Sequence, residues 1–202
     1  MIYVIMCGCN PYEAHPKHLN VVKGETLVER TIRLLRENGV EEIYISSAND
    51  LFDGFGVPRI EHENNMYIGN GFWVDGFFDT GVPTTYLFGD VYFSSDAIKK
   101  IINSETDDVE FFASSPPFAF NYPKTWAEPF AFKVVNQEHF REAIEITKFL
   151  ASRNNFIRHP IAWELWQIIK QTPINYIDYK NYTVINDYTC DIDWEGQQNQ
   201  WG

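Results

Sequence analysis

The chain has 202 residues, 45% of them hydrophobic and 16% aromatic, and carries a formal net charge of -12. That apolar content excludes a disordered chain, and the length fits one domain or one domain with a small elaboration. So acidic a surface repels nucleic acid and anionic membranes, because phosphate backbones need Lys and Arg to neutralise them.

In chain order, residues 2–6 form a short continuous apolar run, which predicts a buried strand. Residues 7–25 are expected to be loop. Thr26-Leu27-Val28-Glu29 fits a capping box, and the apolar stripe through Val28, Ile32 and Leu35 predicts a helix that ends at Asn38-Gly39. Residues 42–46 read as the second strand, so the unit implies parallel strands joined by a right-handed crossover. A short strand is expected at 57–60, a short helix at 70–78 and a strand at 84–88 that ends in Gly89-Asp90. A helix at 95–103 and a strand at 109–114 follow. Then come a strand at 130–135, a helix from 136 to about 152, a Trp-rich helix at 160–171 and a last strand at 182–185 before an acidic tail. Alternating strands and helices predict an α/β protein with a three-layer α/β/α, Rossmann-like fold and a mixed, mostly parallel sheet. Residues 1–202 form one domain on this reading.

No apolar stretch approaches the roughly 18 residues a membrane span needs, and the apolar start is short and lacks a basic leader. Cys7, Cys9 and Cys190 are odd in number and without framework spacing, which suits a reduced compartment. The expectation is a soluble cytoplasmic protein, a monomer or homodimer, with no nucleic-acid or membrane partner.

The most informative segment runs Met6-Cys7-Gly8-Cys9-Asn10-Pro11-Tyr12-Glu13-Ala14-His15-Pro16-Lys17-His18-Leu19. It sets a glycine turn and one lysine at the carboxyl end of the first strand, where open α/β sheets bind ligands. A nucleoside triphosphate needs close backbone N–H groups and a fixed cation; Gly8 and Lys17 supply that pairing. The second segment is Tyr86-Leu87-Phe88-Gly89-Asp90, an apolar strand that delivers one carboxylate. By itself Gly-Asp after a strand is a common turn. The third is Cys190-Asp191-Ile192-Asp193-Trp194-Glu195, where alternation along an extended chain would put both aspartates on one side. The plain alternative is a solvated acidic tail.

Together these segments resemble the nucleotidyltransferases of the GT-A-like, Rossmann-related fold. Ile5-Met6-Cys7-Gly8 stands for the opening of that family's signature loop, Pro16-Lys17-His18-Leu19 for its close, and Val21 to Leu27 for the strand, turn and helix start that follow; the resemblance makes 1–115 the nucleotide-binding half and 116–202 the acceptor-binding half. The resemblance implies transfer of a nucleoside monophosphate from a triphosphate to a phosphorylated small molecule, a sugar 1-phosphate or a phosphocholine-like compound, with release of pyrophosphate. It implies a catalytic role for Lys17, and Mg2+ held by Asp90 and by Asp193, with Asp191 as the other choice. Cys7, Gly8, Cys9, Asn10 and Lys17 would bind the nucleotide, with Asn70 and Gly71 at the base. Asn10 and Tyr12 depart from the family's second glycine and its arginine, and a tyrosine cannot replace a planar multi-donor phosphate ligand. His15 or Lys23 could supply the missing charge.

On the acceptor side Trp126, Glu128 and Glu164 pair aromatics with acids, which suits a sugar face or a quaternary ammonium. The spacing of Trp163, Trp166 and Ile169 equally fits a core stripe. Two other readings stay open: a glycosyltransferase of the same broad fold, and a non-catalytic nucleotide-binding descendant.

Overall fold

The computed structural model describes residues 1–62, 71–116, 118–120, 122–124, 126–193 and 196–201, with 118–120 and 122–124 as backbone. The N-terminal half begins with β1 (Ile2–Met6), the hairpin β2 (Val21–Val22) and β3 (Glu25–Thr26), α1 (Leu27–Glu37), β4 (Ile43–Ser46) and β5 (Arg59–Ile60). It continues with β6 (Thr84–Phe88), β7 (Val91–Tyr92), α2 (Ser95–Asn103) and β8 (Val109–Ala113). The remainder comprises β9 (Phe118–Phe120), β10 (Tyr122–Lys124), β11 (Pro129–Val134), α3 (Gln137–Ser152), α4 (Ala162–Ile169), β12 (Thr183–Val184) and β13 (Cys190–Asp191).

Seven strands form one sheet in the order β12-β8-β11-β6-β1-β4-β5. Among the described strands of this sheet, only β11 runs antiparallel to its neighbours, β6 and β8. All other pairs are parallel. The three-layer α/β/α arrangement and the mixed, mostly parallel sheet are those the sequence predicts. Central strands are buried on both faces, and every residue of β6, its two threonines included, is buried. α3 and α4 cover the sheet face that carries Tyr86, Phe111 and Phe132: Phe140 of α3 packs on Phe132, and Trp163 of α4 meets Phe111 edge-on.

Local chemistry sets the boundaries. The Glu29 amide donates to Thr26 Oγ1 at 3.1 Å while the Thr26 amide donates to Glu29 Oε2 at 2.8 Å, so the expected capping box starts α1. Gly39 leaves the helix with φ of 79°.

Three expectations are corrected. The stretch from 7 to 25 is not all loop: Lys17–Leu19 is a 3₁₀ turn, and β2 pairs with β3 across Lys23-Gly24, both at positive φ as a two-residue hairpin requires. The predicted helix at 70–78 is only a 3₁₀ turn, Trp73–Gly76, too short and aromatic-rich to propagate; Asn70 lies outside the described residues. The acidic tail is packed: β13 pairs antiparallel with β7. There Cys190, Ile192 and Trp201 build a second small core with Val22, Leu27 and Tyr92.

Candidate active site

The strand order reverses direction at β1, which has β4 on one side and β6 on the other. Ligands of open α/β sheets sit beyond the carboxyl ends of the strands at such a switch point. A cleft of about 390 Å³ opens there, within the range of small-molecule sites. Its lining includes Gly8, Lys17, His18, Trp73, Phe88, Asp90, Trp126, Glu128, Asp191 and Asp193.

Three separate segments bring charge together. Lys17 Nζ stands 2.6 Å from Asp90 Oδ2 and 3.8 Å from Asp193 Oδ1. Burial works against the lysine's charge, but Asp90, then Asp193 and Asp191, hold its pKa above the usual lysine value. Burial likewise opposes ionisation of Asp90, and the Lys17 ammonium outweighs it, leaving the carboxyl below its ordinary range. Both groups are therefore charged at neutral pH.

Asp90 reaches the cleft because β6 runs hard against the end of β1. A Cβ on Gly89 would lie 2.7 Å from both Cys7 Sγ and the Met6 carbonyl oxygen, so glycine is required for close approach there. The C-terminal segment arrives from the other side: the Ile192 amide donates to the Asp90 carbonyl at 2.9 Å. Ile192 is fully buried in the small core while Asp191 and Asp193 both line the cleft, which is the predicted alternation.

Glu128, Asp191 and Asp193 each present a carboxylate oxygen, and these oxygens lie within 4.8 Å of one another. Three hard oxygen donors fit Mg2+ or Mn2+ and suit no soft metal. The grouping differs from the implied pair. Asp90 is not one of the three and holds Lys17 on its carboxylate, and Glu128, read from the sequence only as an acceptor contact, joins Asp191 and Asp193. Glu128 is nearly fully buried immediately before β11, and Trp126 Nε1 donates to it.

Other sequence candidates fall elsewhere. Gly8 lines the cleft, but Cys7, Cys9 and Asn10 do not. The Cys7 and Cys9 side chains are buried in the main core; burial pushes the Cys7 thiol well up, so it stays protonated. Asn10 Oδ1 accepts from the Tyr12 amide at 2.9 Å and so shapes its own turn. Tyr12 is 93% exposed, and neither His15 nor Lys23 lines the cleft. Gly71 precedes the 3₁₀ turn whose Trp73 and Gly76 line it instead. Glu164 is displaced from the acceptor role: it is buried at the start of α4, accepts from the Ile161 amide at 3.0 Å and pairs with Arg158 at 2.6 Å. Trp163, Trp166 and Ile169 are core.

His18 is a site residue that sequence reading passes over, since it occupies an ordinary spacer position after Lys17. It is 3% exposed, and burial first, with Lys17 adding, pushes its pKa down to about 4 against the pull of Asp90. It forms a neutral wall of the cleft and supplies no second cation.

The sheet order, with one antiparallel strand among the described strands of the sheet, and the cleft at its switch point define an open, mixed α/β fold. The chain has the Rossmann-related fold of the sugar-phosphate nucleotidyltransferases. A Bacillus anthracis protein described as a glucose-1-phosphate thymidylyltransferase superposes with a TM-score of 0.56 at 13% identity, covering 98% of each chain. The 4-diphosphocytidyl-2C-methyl-D-erythritol synthase of Anaerococcus prevotii gives 0.56 at 11% identity, over 98% of this chain and 91% of that one. CTP:phosphocholine cytidylyltransferase from Streptococcus pneumoniae gives 0.53 at 15% identity, over 98% and 95%. No family model and no curated protein sequence matches the chain.

Proposed function

We propose that this protein is a Mg2+-dependent nucleotidyltransferase: it transfers a nucleoside monophosphate from a triphosphate to a phosphorylated small molecule and releases pyrophosphate. The observation that carries the reading is the meeting of Lys17, Asp90 and Asp193 from three distant segments in the switch-point cleft. The fold shared with known nucleotidyltransferases supports it.

The chemistry follows from charge. The acceptor's phosphate oxygen attacks the α-phosphorus in line, and pyrophosphate departs. Such reactions need positioning and neutralisation of anionic oxygens more than covalent help. Lys17 supplies a cation that stays charged across the working pH range. Asp90 holds it at the cleft and gives it up to the triphosphate. Asp193, Asp191 and Glu128 would hold Mg2+, which when bound supplies Lewis acidity and charge neutralisation. Trp73, Phe88 and Trp126 wall the cleft with apolar surface against which the acceptor packs.

A thermal-shift panel of ATP, CTP, GTP, UTP and dTTP, each with and without Mg2+, tests this. A ligand that binds only the folded state raises the melting temperature by mass action. A Mg2+-dependent rise with one triphosphate is expected and names the base. A flat panel, beside a rise with a nucleotide sugar, overturns the reading in favour of a glycosyltransferase.

A further inference from the structure

Asp191 ends β13 and Asp193 follows two residues later; among the described residues β13 has one neighbouring strand, β7. The inner side of that strand pairs with β7 and continues to the Asp90 carbonyl through the Ile192 amide. The Asp191 carbonyl and the Asp193 amide point to the other side. A strand's outer edge leaves such groups unpaired unless something covers them.

Gln197 covers them. Its Nε2 donates to the Asp191 carbonyl at 2.9 Å, and its Oε1 accepts from the Asp193 amide at 2.7 Å. One side-chain amide thus acts as the peptide group of an absent third strand. Gln197 is 0% exposed, so neither bond is exchanged for water. It opens the 3₁₀ helix Gln197–Trp201. That helix is itself anchored by Trp201, whose indole lies 4.5 Å from the Tyr92 ring and donates to the Tyr188 carbonyl at 3.0 Å.

We infer that Gln197 is the positioning residue of the acidic centre: it fixes the backbone on both sides of Ile192 and so aims the Asp191 and Asp193 carboxylates at one point in the cleft. It touches neither substrate nor metal. The inference rests on the reading of those two acids as cation ligands. Groups behind the ligands of a metal site commonly alter affinity about 10- to 100-fold when removed.

The test is Mn2+ affinity, read by electron paramagnetic resonance of the intact protein without substrate. The variants are Gln197→Met, which keeps the volume but loses both hydrogen bonds, and Trp201→Phe, which loosens the same 3₁₀ helix but keeps the amide. Wild type and Trp201→Phe are expected to bind alike. Gln197→Met is expected to bind about 10-fold more weakly while circular dichroism shows it folded. If Gln197→Met does not fold, Gln197→Asn takes its place; its arm is one methylene too short to reach both groups, and the same loss is expected. Affinity of the Gln197 variant within about twofold of wild type overturns the inference, as does an equal loss in Trp201→Phe, which would mean general loosening. Absence of Mn2+ binding to the wild type is a different result: it removes the metal reading, and the inference with it.

Discussion

Lys17 Nζ sits 2.6 Å from Asp90 Oδ2, although 72 residues separate the two in the chain. The pair joins the loop after β1 to the turn after β6 across the sheet's switch point. It also keeps a cation in a cleft that otherwise holds four carboxylates.

Lys17 should therefore dominate turnover. Lys17→Ala is expected to lower pyrophosphate release about 100-fold or more, the scale of losing one donor that stabilises transition-state charge. Lys17→Arg should recover only part of it, because the guanidinium is larger and its planar fork does not replace a point charge between Asp90 and Asp193. A coupled pyrophosphate assay with saturating nucleotide checks both.

Gly89→Ala should destabilise the fold as well as the site. The new methyl would meet the Met6 backbone oxygen and Cys7 Sγ at 2.7 Å, and a backbone oxygen held in the β1–β6 ladder cannot step aside. Overpacking of this kind costs about 1–3 kcal/mol. Urea denaturation should show a lower midpoint with an unchanged slope, and activity should fall with it as Asp90 shifts.

Glu25 gives a pH dependence of known sign. Hydrogen bonds from Arg33 lower its folded-state pKa against the opposing effect of burial, and Arg30 lowers it further. Arg33 Nη2 lies 2.6 Å and Arg30 Nη1 2.9 Å from Glu25 Oε1. A carboxylate depressed in the folded state contributes stability that is present above its unfolded pKa, ordinarily 4.5, and lost as pH falls below it. Glu25→Gln should then be less stable than wild type at pH 7, and the difference should close toward strongly acid pH. Thermal melts across that range, in citrate and phosphate buffers, measure it.

Thr26→Ala removes one half of the capping box at the start of α1 and leaves the Glu29 amide without its partner. The expected cost is about 1 kcal/mol. Because Thr26 does not line the cleft, the melting temperature should drop while the Michaelis constants for substrates hold.

The central part of the fold was legible because its signals are local. β1 is an unbroken apolar run, β6 is a β-branched and aromatic run, Thr26 and Glu29 announce α1, and Gly89-Asp90 marks a strand end. Lys17, Asp90 and Asp193 could be named from the same segments. What the sequence hid depends on distance. Nothing local says that Glu128 lies beside Asp191 and Asp193, or that Glu164 turns back to cap its own helix and bind Arg158. His18 looks like a spacer until Gly89 and Phe52 are packed against it. The sequence leaves the C-terminal stretch open between a packed, alternating segment and a solvated acidic tail, because its partners, Val22, Leu27 and Tyr92, lie far upstream. Gln197 carries no sequence signal at all, since a lone glutamine acquires its role only from the strand edge it covers.

The most direct test of nucleotidyl transfer is phosphorus NMR of the wild-type protein with Mg2+, the triphosphate selected by thermal shift, and a panel of sugar 1-phosphates and phosphocholine. The account predicts pyrophosphate and a new diphosphate-linked product in equal amounts with one acceptor, both lost in Lys17→Ala. Release of orthophosphate without such a product, or turnover only of a finished nucleotide sugar to a nucleoside diphosphate, would contradict it.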